Sequence, residues 1–238
     1  MRHLRSAAFF TFLVLWTLLL APTIPWLAWR RDPAQVRRVS RLWSRGLLGA
    51  LRLIVGLGYR EIGREHRPAG PALYVSNHQS AWETLAFSVL IPDLAFVLKE
   101  ELYRYPIFGW FLKHSPMIAI DRAGGGTAMK KMIREARAVA ADGRSVLIFP
   151  EGTRRGAGES AEFRRGVLLL YKALKLPAVP MAHNAGLFWK PKSLFVTPGT
   201  ITVVYMPPLP ADLPDEDFMN AVQGAIVTER DRLAGRDA

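Results

Sequence analysis

Residues 73–83, Leu-Tyr-Val-Ser-Asn-His-Gln-Ser-Ala-Trp-Glu, join a short apolar run to the polar start of a helix. The apolar run is typical of a buried strand, and a helical pattern follows it. The same order occurs at 145–154, where an apolar run leads into Pro-Glu-Gly-Thr-Arg. Strands that alternate with helices predict an α/β fold, in which ligands bind at the carboxyl ends of the strands.

The alternation continues along the chain from Tyr59 onward. Predicted strands cover residues 72–76, 94–98, 117–120, 145–149, 178–181 and 201–206. Predicted helices cover residues 80–90, 101–114, 127–141, 161–174 and 215–233. This pattern predicts a central mixed, largely parallel sheet flanked by helices.

Positive charge is concentrated at the N-terminus. Residues 1–60 hold ten Arg and one acidic residue, a net charge of +9 within a chain whose total is +12. The same segment is the most apolar one, and no nucleic-acid-binding motif accompanies it. An anionic membrane surface is therefore favoured over nucleic acid as its partner.

Several chemistries are excluded by composition and spacing. The chain has 0 Cys, so it has no disulfide, no thiolate nucleophile and no Cys-ligated zinc. Its 5 His show no metal-ligand spacing, and no Gly-x-Ser-x-Gly nucleophile motif occurs. Neither a metal nor another resident cofactor is expected.

An uncharged apolar stretch covers residues 7–29, long enough to cross a hydrocarbon layer of roughly 30 Å. Pro22 and Pro25 interrupt the pattern, so a helix lying in the membrane plane is an alternative to a spanning one. A cleaved signal peptide is a third interpretation. The excess of Arg after the stretch predicts that the following domain is on the cytoplasmic side of a bacterial-type inner membrane.

A second N-terminal helix is predicted from Pro33 to about residue 57, because Asp32-Pro33 is a helix-start signal. Apolar residues recur along it at helical spacing, and Arg residues decorate the remainder. Such a helix is suited to lying on a membrane, or to packing on the domain with its Arg face in solvent. The predicted organisation is thus a membrane-associated two-helix segment at 1–58 and an α/β domain at 59–238.

His78 and Glu83 are the candidate catalytic pair. His is suited to accept a proton near neutral pH, and it needs a partner on its second ring nitrogen to fix its tautomer. Five residues within one regular helix would separate the two side chains by roughly 140°. We therefore expect His78 to precede the helix or lie in its first turn. Ser80-x-x-Glu83 also fits a capping box, in which Glu83 only satisfies a backbone donor, and spacing alone does not decide between them.

The second block, residues 149–154, combines a strand end, a turn and Arg154. Gly152 lets the backbone bend toward a ligand, and a guanidinium can hold a phosphate with two hydrogen bonds. Arg122 follows another predicted strand and is a second candidate phosphate ligand. The alternative interpretation of the block is an ordinary turn with a surface Arg.

Taken together, the motifs resemble the 1-acylglycerol-3-phosphate acyltransferase family of glycerolipid acyltransferases. Asn77-His78-x4-Glu83 is similar to the family's His-x4-Asp motif, with Glu one methylene longer than the usual Asp. Arg122 matches the end of its second block, and 149–154 matches its third. Val179-Pro180-Met181 is similar to the fourth, which lines the site. The match covers about residues 60 to 210, and the N-terminal helices resemble the membrane-binding helical pair of bacterial members.

The resemblance implies direct acyl transfer without a metal. His78 would act as general base, oriented by Glu83, on the sn-2 hydroxyl of a 1-acylglycerol-3-phosphate. The donor would be a thioester of acyl-carrier protein or CoA, and the product phosphatidic acid. The implied substrate-binding residues are Arg122, Glu151, Gly152, Thr153, Arg154 and Pro180.

Alternatives of substrate and of class stay open. Another lysolipid acceptor, such as lyso-ornithine lipid, would keep the chemistry without requiring a phosphate site. A thioesterase would use water in place of the acceptor. A non-catalytic membrane lipid-binding protein would bind lipid independently of His78.

Overall fold

The computed structural model describes residues 2–121, 124–157, 159 and 162–235. Within these residues it contains seven strands: β1 (Leu57–Ile62), β2 (Leu73–Ser76), β3 (Ala95–Lys99), β4 (Ile118–Ile120), β5 (Val146–Ile148), β6 (Ala178–His183) and β7 (Gly199–Tyr205). They form one sheet in the order β1-β7-β6-β2-β5-β3-β4. The five strands from β6 to β4 are parallel, whereas β7 is antiparallel to β6 and parallel to β1. The predicted mixed, largely parallel sheet is confirmed.

Helices cover both faces of this sheet. They are α1 (Arg2–Leu20), α2 (Thr23–Arg30), α3 (Pro33–Ala50), α4 (Trp82–Leu90), α5 (Phe108–His114), α6 (Gly125–Ala141), α7 (Gly166–Leu174) and α8 (Asp215–Leu233). Residues of α1, α3 and α4 share one hydrophobic core with the side chains of one sheet face. Residues of α6, α7 and α8 share a second core with the other face.

Successive side chains of each strand point to opposite faces of the sheet, which produces the two cores. Tyr74 and Leu147 point into the first core, whereas their neighbours Val75 and Val146 point into the second. Because β2 and β5 are hydrogen-bonded neighbours, the two blocks that follow them emerge side by side at one sheet edge. The fold thereby brings together segments about 70 residues apart in the chain.

Three elements differ from the sequence prediction. β1 falls where the helix beginning at Pro33 was predicted to end; instead α3 passes through a π-helical turn (Leu51–Val55), and Gly56 at φ 81° terminates it. The helix predicted at 101–114 is divided into a 3₁₀ turn (Glu100–Arg104) and α5, because Pro106 lacks a backbone N–H and restricts the residue before it. The helix predicted at 161–174 covers Gly166–Leu174 in the structure, and residue 161 itself lies outside the described residues.

The N-terminal apolar stretch is also divided, with a turn at Ala21-Pro22 between α1 and α2. Among the described residues, α1 is the one helix long and apolar enough to cross a membrane. One face of α1 packs on the domain: Phe9 is fully buried, and the Trp16 indole donates to the Trp43 carbonyl of α3 at 3.1 Å. Its opposite face exposes Leu4, Val14, Leu15, Leu18 and Leu19.

The apolar face of α3 packs against α4 and α1, so the packed alternative for this helix is the one observed. Two of its Arg side chains are also bound to the domain. Arg37 Nε lies 3.1 Å and Arg41 Nη2 3.7 Å from Asp93 Oδ1. The division at residue 58 stays a prediction, although the first core includes residues from both sides of it.

Candidate active site

The loop after β2 is fixed to the end of β6 by Asn77. The buried Asn77 side chain donates through Nδ2 to the His183 carbonyl at 2.9 Å and accepts the His183 amide at 3.0 Å. The His183 ring also contacts the Asn77 backbone, with Nε2 2.9 Å from the Asn77 carbonyl oxygen. This double pairing orients the backbone at His78.

His78 and Glu83 meet as predicted. His78 Nδ1 lies 2.9 Å from Glu83 Oε1, with Glu83 fully buried. His78 precedes α4 and Glu83 lies in its first turn, which brings the two side chains together despite their five-residue spacing. Because the carboxylate can only accept, Nδ1 carries the proton and Nε2 is the basic nitrogen.

Glu83 also caps the helix, so both interpretations of its spacing hold. Its Oε1 accepts the backbone N–H of Gln79 at 2.9 Å and that of Ser80 at 2.7 Å. The Ser80 hydroxyl accepts the Trp82 amide at 3.2 Å. One carboxylate oxygen therefore holds the loop, the helix start and the imidazole in a single arrangement.

The pKa of Glu83 is lowered, which keeps it ionised. Burial alone would raise this pKa, but the imidazoles of His183 and His78, together with the Ser80 amide, outweigh that effect. Burial lowers the pKa of His183, whose Nδ1 accepts the Ala185 amide at 3.2 Å. His183 is thus a structural imidazole behind the Glu83 carboxylate.

The loop after β5 encloses His78 from the other side. The Phe149 ring stacks on the imidazole at 4.1 Å between centroids. The His78 amide donates to Glu151 Oε1 at 3.3 Å, and the Arg155 amide donates to the His78 carbonyl at 2.8 Å. Both backbone polar groups of His78 are therefore bound by the loop that follows β5.

Glu151 is buried, with 3% of its surface exposed. Burial raises the pKa of Glu151 to about 7, against the opposing influence of the His78 amide and the Arg230 guanidinium. Its substrate-binding role stays a prediction. What the structure adds is a direct contact between this side chain and the backbone of His78.

The other predicted substrate-binding residues fall into three groups. Gly152, Thr153 and Arg154 line the same cavity as His78, and Gly152 adopts φ 73°, a conformation that favours glycine. Pro180 is buried inside β6, opposite Val75 of β2, and is not among the residues that line this cavity. Arg122 lies outside the described residues.

Three cations that sequence analysis did not select also line the cavity: Lys99, Arg164 and Lys192. Lys99 ends β3, so its position at the carboxyl end of a predicted strand was the signal that could have identified it. Lys192 lies in an irregular segment and Arg164 just before α7. No local pattern relates either of them to His78.

The cavity itself is large and mainly apolar. It has a volume of about 520 Å³, within the range of small-molecule sites. Its walls come from α1, α3, α4, α5 and β3 and include Leu20, Val39, Trp43, Leu85, Phe96, Phe111 and Leu112. An imidazole and several cations thus line the same space as a long apolar wall.

Comparison with known proteins gives consistent matches. A family model described as Acyltransferase matches residues 59–184. A 1-acyl-sn-glycerol-3-phosphate acyltransferase of Pseudomonas aeruginosa is 38% identical over 193 residues, covering 81% of this chain and 73% of the relative. A protein of the same name from Limnanthes alba is 31% identical over 201 residues, covering 84% and 69%. The crystal structure of the 1-acyl-sn-glycerophosphate acyltransferase PlsC from Thermotoga maritima matches the whole of both chains, with a TM-score of 0.75 at 20% identity.

Proposed function

Since the chain belongs to the 1-acyl-sn-glycerol-3-phosphate acyltransferase family, we propose that it acylates the sn-2 hydroxyl of 1-acylglycerol-3-phosphate to give phosphatidic acid. The observation that carries this proposal is the His78–Glu83 pair, joined at 2.9 Å and bordering an apolar cavity. A base, nearby cations and an apolar cavity are what transfer between two lipid-like substrates requires.

His78 acts as the general base. Its Nε2 removes the proton from the acceptor hydroxyl while the oxygen attacks the thioester carbonyl. The new C–O bond forms, the C–S bond breaks, and the departing thiolate takes the proton from His78. Glu83 holds the imidazole and stabilises its positive charge during the reaction. Positioning of the two substrates contributes further to the rate.

The acceptor phosphate binds on the cationic side of the cavity. Arg154, supported by the backbone of Gly152 and Thr153, is the principal ligand, and Lys99 adds a second positive charge. Arg122 is retained as a ligand on the strength of the family motif. An acceptor without a phosphate would gain little from these groups, which favours a lysophospholipid over lyso-ornithine lipid.

The apolar part of the cavity receives an acyl chain. Leu85 and Ser88 both line the cavity, and each lies farther along α4 from Glu83 than the one before. The donor is a thioester of acyl-carrier protein or CoA. Acidic acyl-carrier protein and the phosphates of CoA are both attracted to a basic surface.

The chain works at the cytoplasmic side of a bacterial-type inner membrane, with α1 in the membrane plane. A spanning α1 would be surrounded by lipid, whereas here one side of it packs on the domain, with Phe9 fully buried. The opposite side is a continuous apolar surface suited to the headgroup boundary. This arrangement keeps the cavity, which Thr17 and Leu20 also line, beside the lipid layer.

Detergent-purified protein with labelled lysophosphatidic acid and a sixteen- or eighteen-carbon acyl thioester tests the proposal. Wild type should form phosphatidic acid with either carrier supplied in separate reactions, at different efficiency. His78→Ala should form none and keep the wild-type melting temperature. Product from His78→Ala at the wild-type rate would refute the role of His78 as general base. If wild type acylates only a phosphate-free lysolipid, 1-acylglycerol-3-phosphate is refuted as the acceptor.

A further inference from the structure

A second apolar surface lies beside the first turn of α1. In the segment 190–196, Leu194 is 68% exposed and Phe195 57% exposed. Neither lines the cavity of the active site. Two neighbouring large apolar side chains, both exposed, indicate a surface that meets an apolar partner.

The segment is held in this conformation by its own hydrogen bonds. The Ser193 hydroxyl accepts the Phe195 amide at 2.9 Å and lies 3.2 Å from the Phe195 carbonyl. The Trp189 indole donates to the Ser193 carbonyl at 3.0 Å. Exposure of Leu194 and Phe195 is therefore a property of an ordered loop, so little conformational entropy is lost when they are covered.

The loop is also fastened to α1. The buried Ser6 hydroxyl bonds the Val196 carbonyl at 3.3 Å and accepts the Val196 amide at 3.1 Å. The His3 ring contacts Phe195 edge-on, with 4.8 Å between centroids. Because α1 is about 10 Å across, the loop tip lies within about one helix diameter of the exposed outer face of α1.

Charge within the two stretches of sequence is of one sign. No acidic residue occurs in residues 2–31 or in residues 163–211. Lys190 and Lys192 precede the exposed pair, and Arg2 and Arg5 lie in the first turn of α1. Basic side chains around exposed apolar ones match a bilayer with anionic headgroups.

We propose that the loop at 190–196 is a second lipid contact, which places Leu194 and Phe195 in the interfacial layer of an anionic membrane next to α1. This inference rests on the in-plane position of α1 in the proposed function. An acidic protein would satisfy the charges, but two exposed apolar side chains fastened beside a helix with an exposed apolar face favour lipid. The contact would fix the rotation of the domain about α1 and keep the cavity next to the membrane.

The test uses the absence of native cysteine, since the chain has 0 Cys. An environment-sensitive fluorophore is attached to Leu194→Cys, Leu15→Cys or Leu169→Cys, each in the full chain. Leu15 is on the outer face of α1, and Leu169 is partly exposed on α7, on the opposite side of the sheet. Vesicles of phosphatidylglycerol and phosphatidylethanolamine are then added. We expect a blue shift for the labels at 194 and 15 and none at 169.

The outcomes separate this inference from the proposed function. A shift at 15 without one at 194 overturns the loop contact and leaves the membrane position of α1 intact. No shift at either position overturns both. If the label at 194 shifts with acidic acyl-carrier protein but not with vesicles, the partner of the loop is a protein and not lipid. That outcome also overturns the inference.

A second measurement uses the double variant Leu194→Ser, Phe195→Ser. Partitioning onto the same vesicles should fall roughly ten-fold, because apolar area buried in the interface sets much of the binding strength. Leu169→Ser is the matched control and should partition like wild type. Transfer activity on detergent-dispersed substrates should stay unchanged in both variants. Wild-type partitioning of the double variant would refute the contact.

Discussion

The carboxyl group of Glu151 accepts the backbone N–H of His78 at 3.3 Å, so the second sequence block binds the candidate base of the first directly. The adjacent Arg155 amide binds the His78 carbonyl at 2.8 Å. The two loops therefore form one unit around the imidazole, and both of them hold the backbone of His78 in place.

Glu83→Gln should lower kcat by about a hundred-fold or more, because an amide cannot stabilise the imidazolium and can hold the wrong tautomer. The Gln carbonyl can still accept the Gln79 and Ser80 amides, so the melting temperature should change little. Steady-state kinetics and thermal unfolding measure the two effects. Ser80→Ala is the control: it removes the hydroxyl cap on Trp82 and should cost about 1 kcal/mol of stability with kcat retained. A wild-type kcat in Glu83→Gln would show that Glu83 is only a cap.

Arg154→Ala should raise the KM for the acceptor about ten-fold to a hundred-fold, the usual effect of losing a hydrogen bond to a charged group. The KM for the thioester should stay the same, since the phosphate belongs to the acceptor. Arg134→Ala, an exposed Arg of α6 in the opposite helical layer, is the matched control. An equal change in both KM values would argue against a phosphate contact.

Glu151 should make stability depend on pH. Its pKa is about 7 in the folded protein against 4.5 ordinarily, so between these values the folded state binds a proton that the unfolded chain releases. The free energy of unfolding should therefore decrease by up to about 3 kcal/mol as pH rises through this window. Glu151→Gln imitates the protonated form and should remove that decrease. Denaturant unfolding of both proteins at about pH 5 and about pH 8 measures it, and parallel pH dependence of the two would contradict the assignment.

Ser88→Leu should shorten the preferred acyl chain, because this residue of α4 lines the cavity one helical turn beyond Thr84. We expect kcat/KM for eighteen-carbon donors to fall at least about ten-fold relative to ten-carbon donors. Ser88→Ala is the control, since it removes the hydrogen bonds to Leu85 and Ser44 without filling space. An unchanged ratio of kcat/KM between eighteen- and ten-carbon donors in Ser88→Leu would mean that the acyl chain binds elsewhere.

Local signals account for the parts of the fold that were predicted correctly. The start of α8 with three acidic residues and its end before Gly235 are encoded in neighbouring residues, and Asp215–Leu233 was predicted to the residue. The helix predicted from residue 161 fails for a tertiary reason. The Arg164 amide donates to the Pro150 carbonyl at 3.0 Å, so this residue is bound to the site loop and the described helix begins after it, at Gly166.

The sequence alone predicted that His78 precedes a helix with Glu83 in its first turn, because a loop, a helix start and a five-residue spacing are local properties. That Glu83 both contacts the imidazole and caps the helix was visible only in the structure. The sequence also determined the α/β class, because the periods of strands and helices differ. Only the tertiary structure decided that β1 pairs with β7, more than 140 residues later, and that Asn77 binds His183. It likewise decided that Glu151 binds the His78 backbone and that one side of α1 packs on the domain. These contacts join segments far apart in the chain, and their energy comes from burial and from satisfying polar groups that local sequence does not bring together.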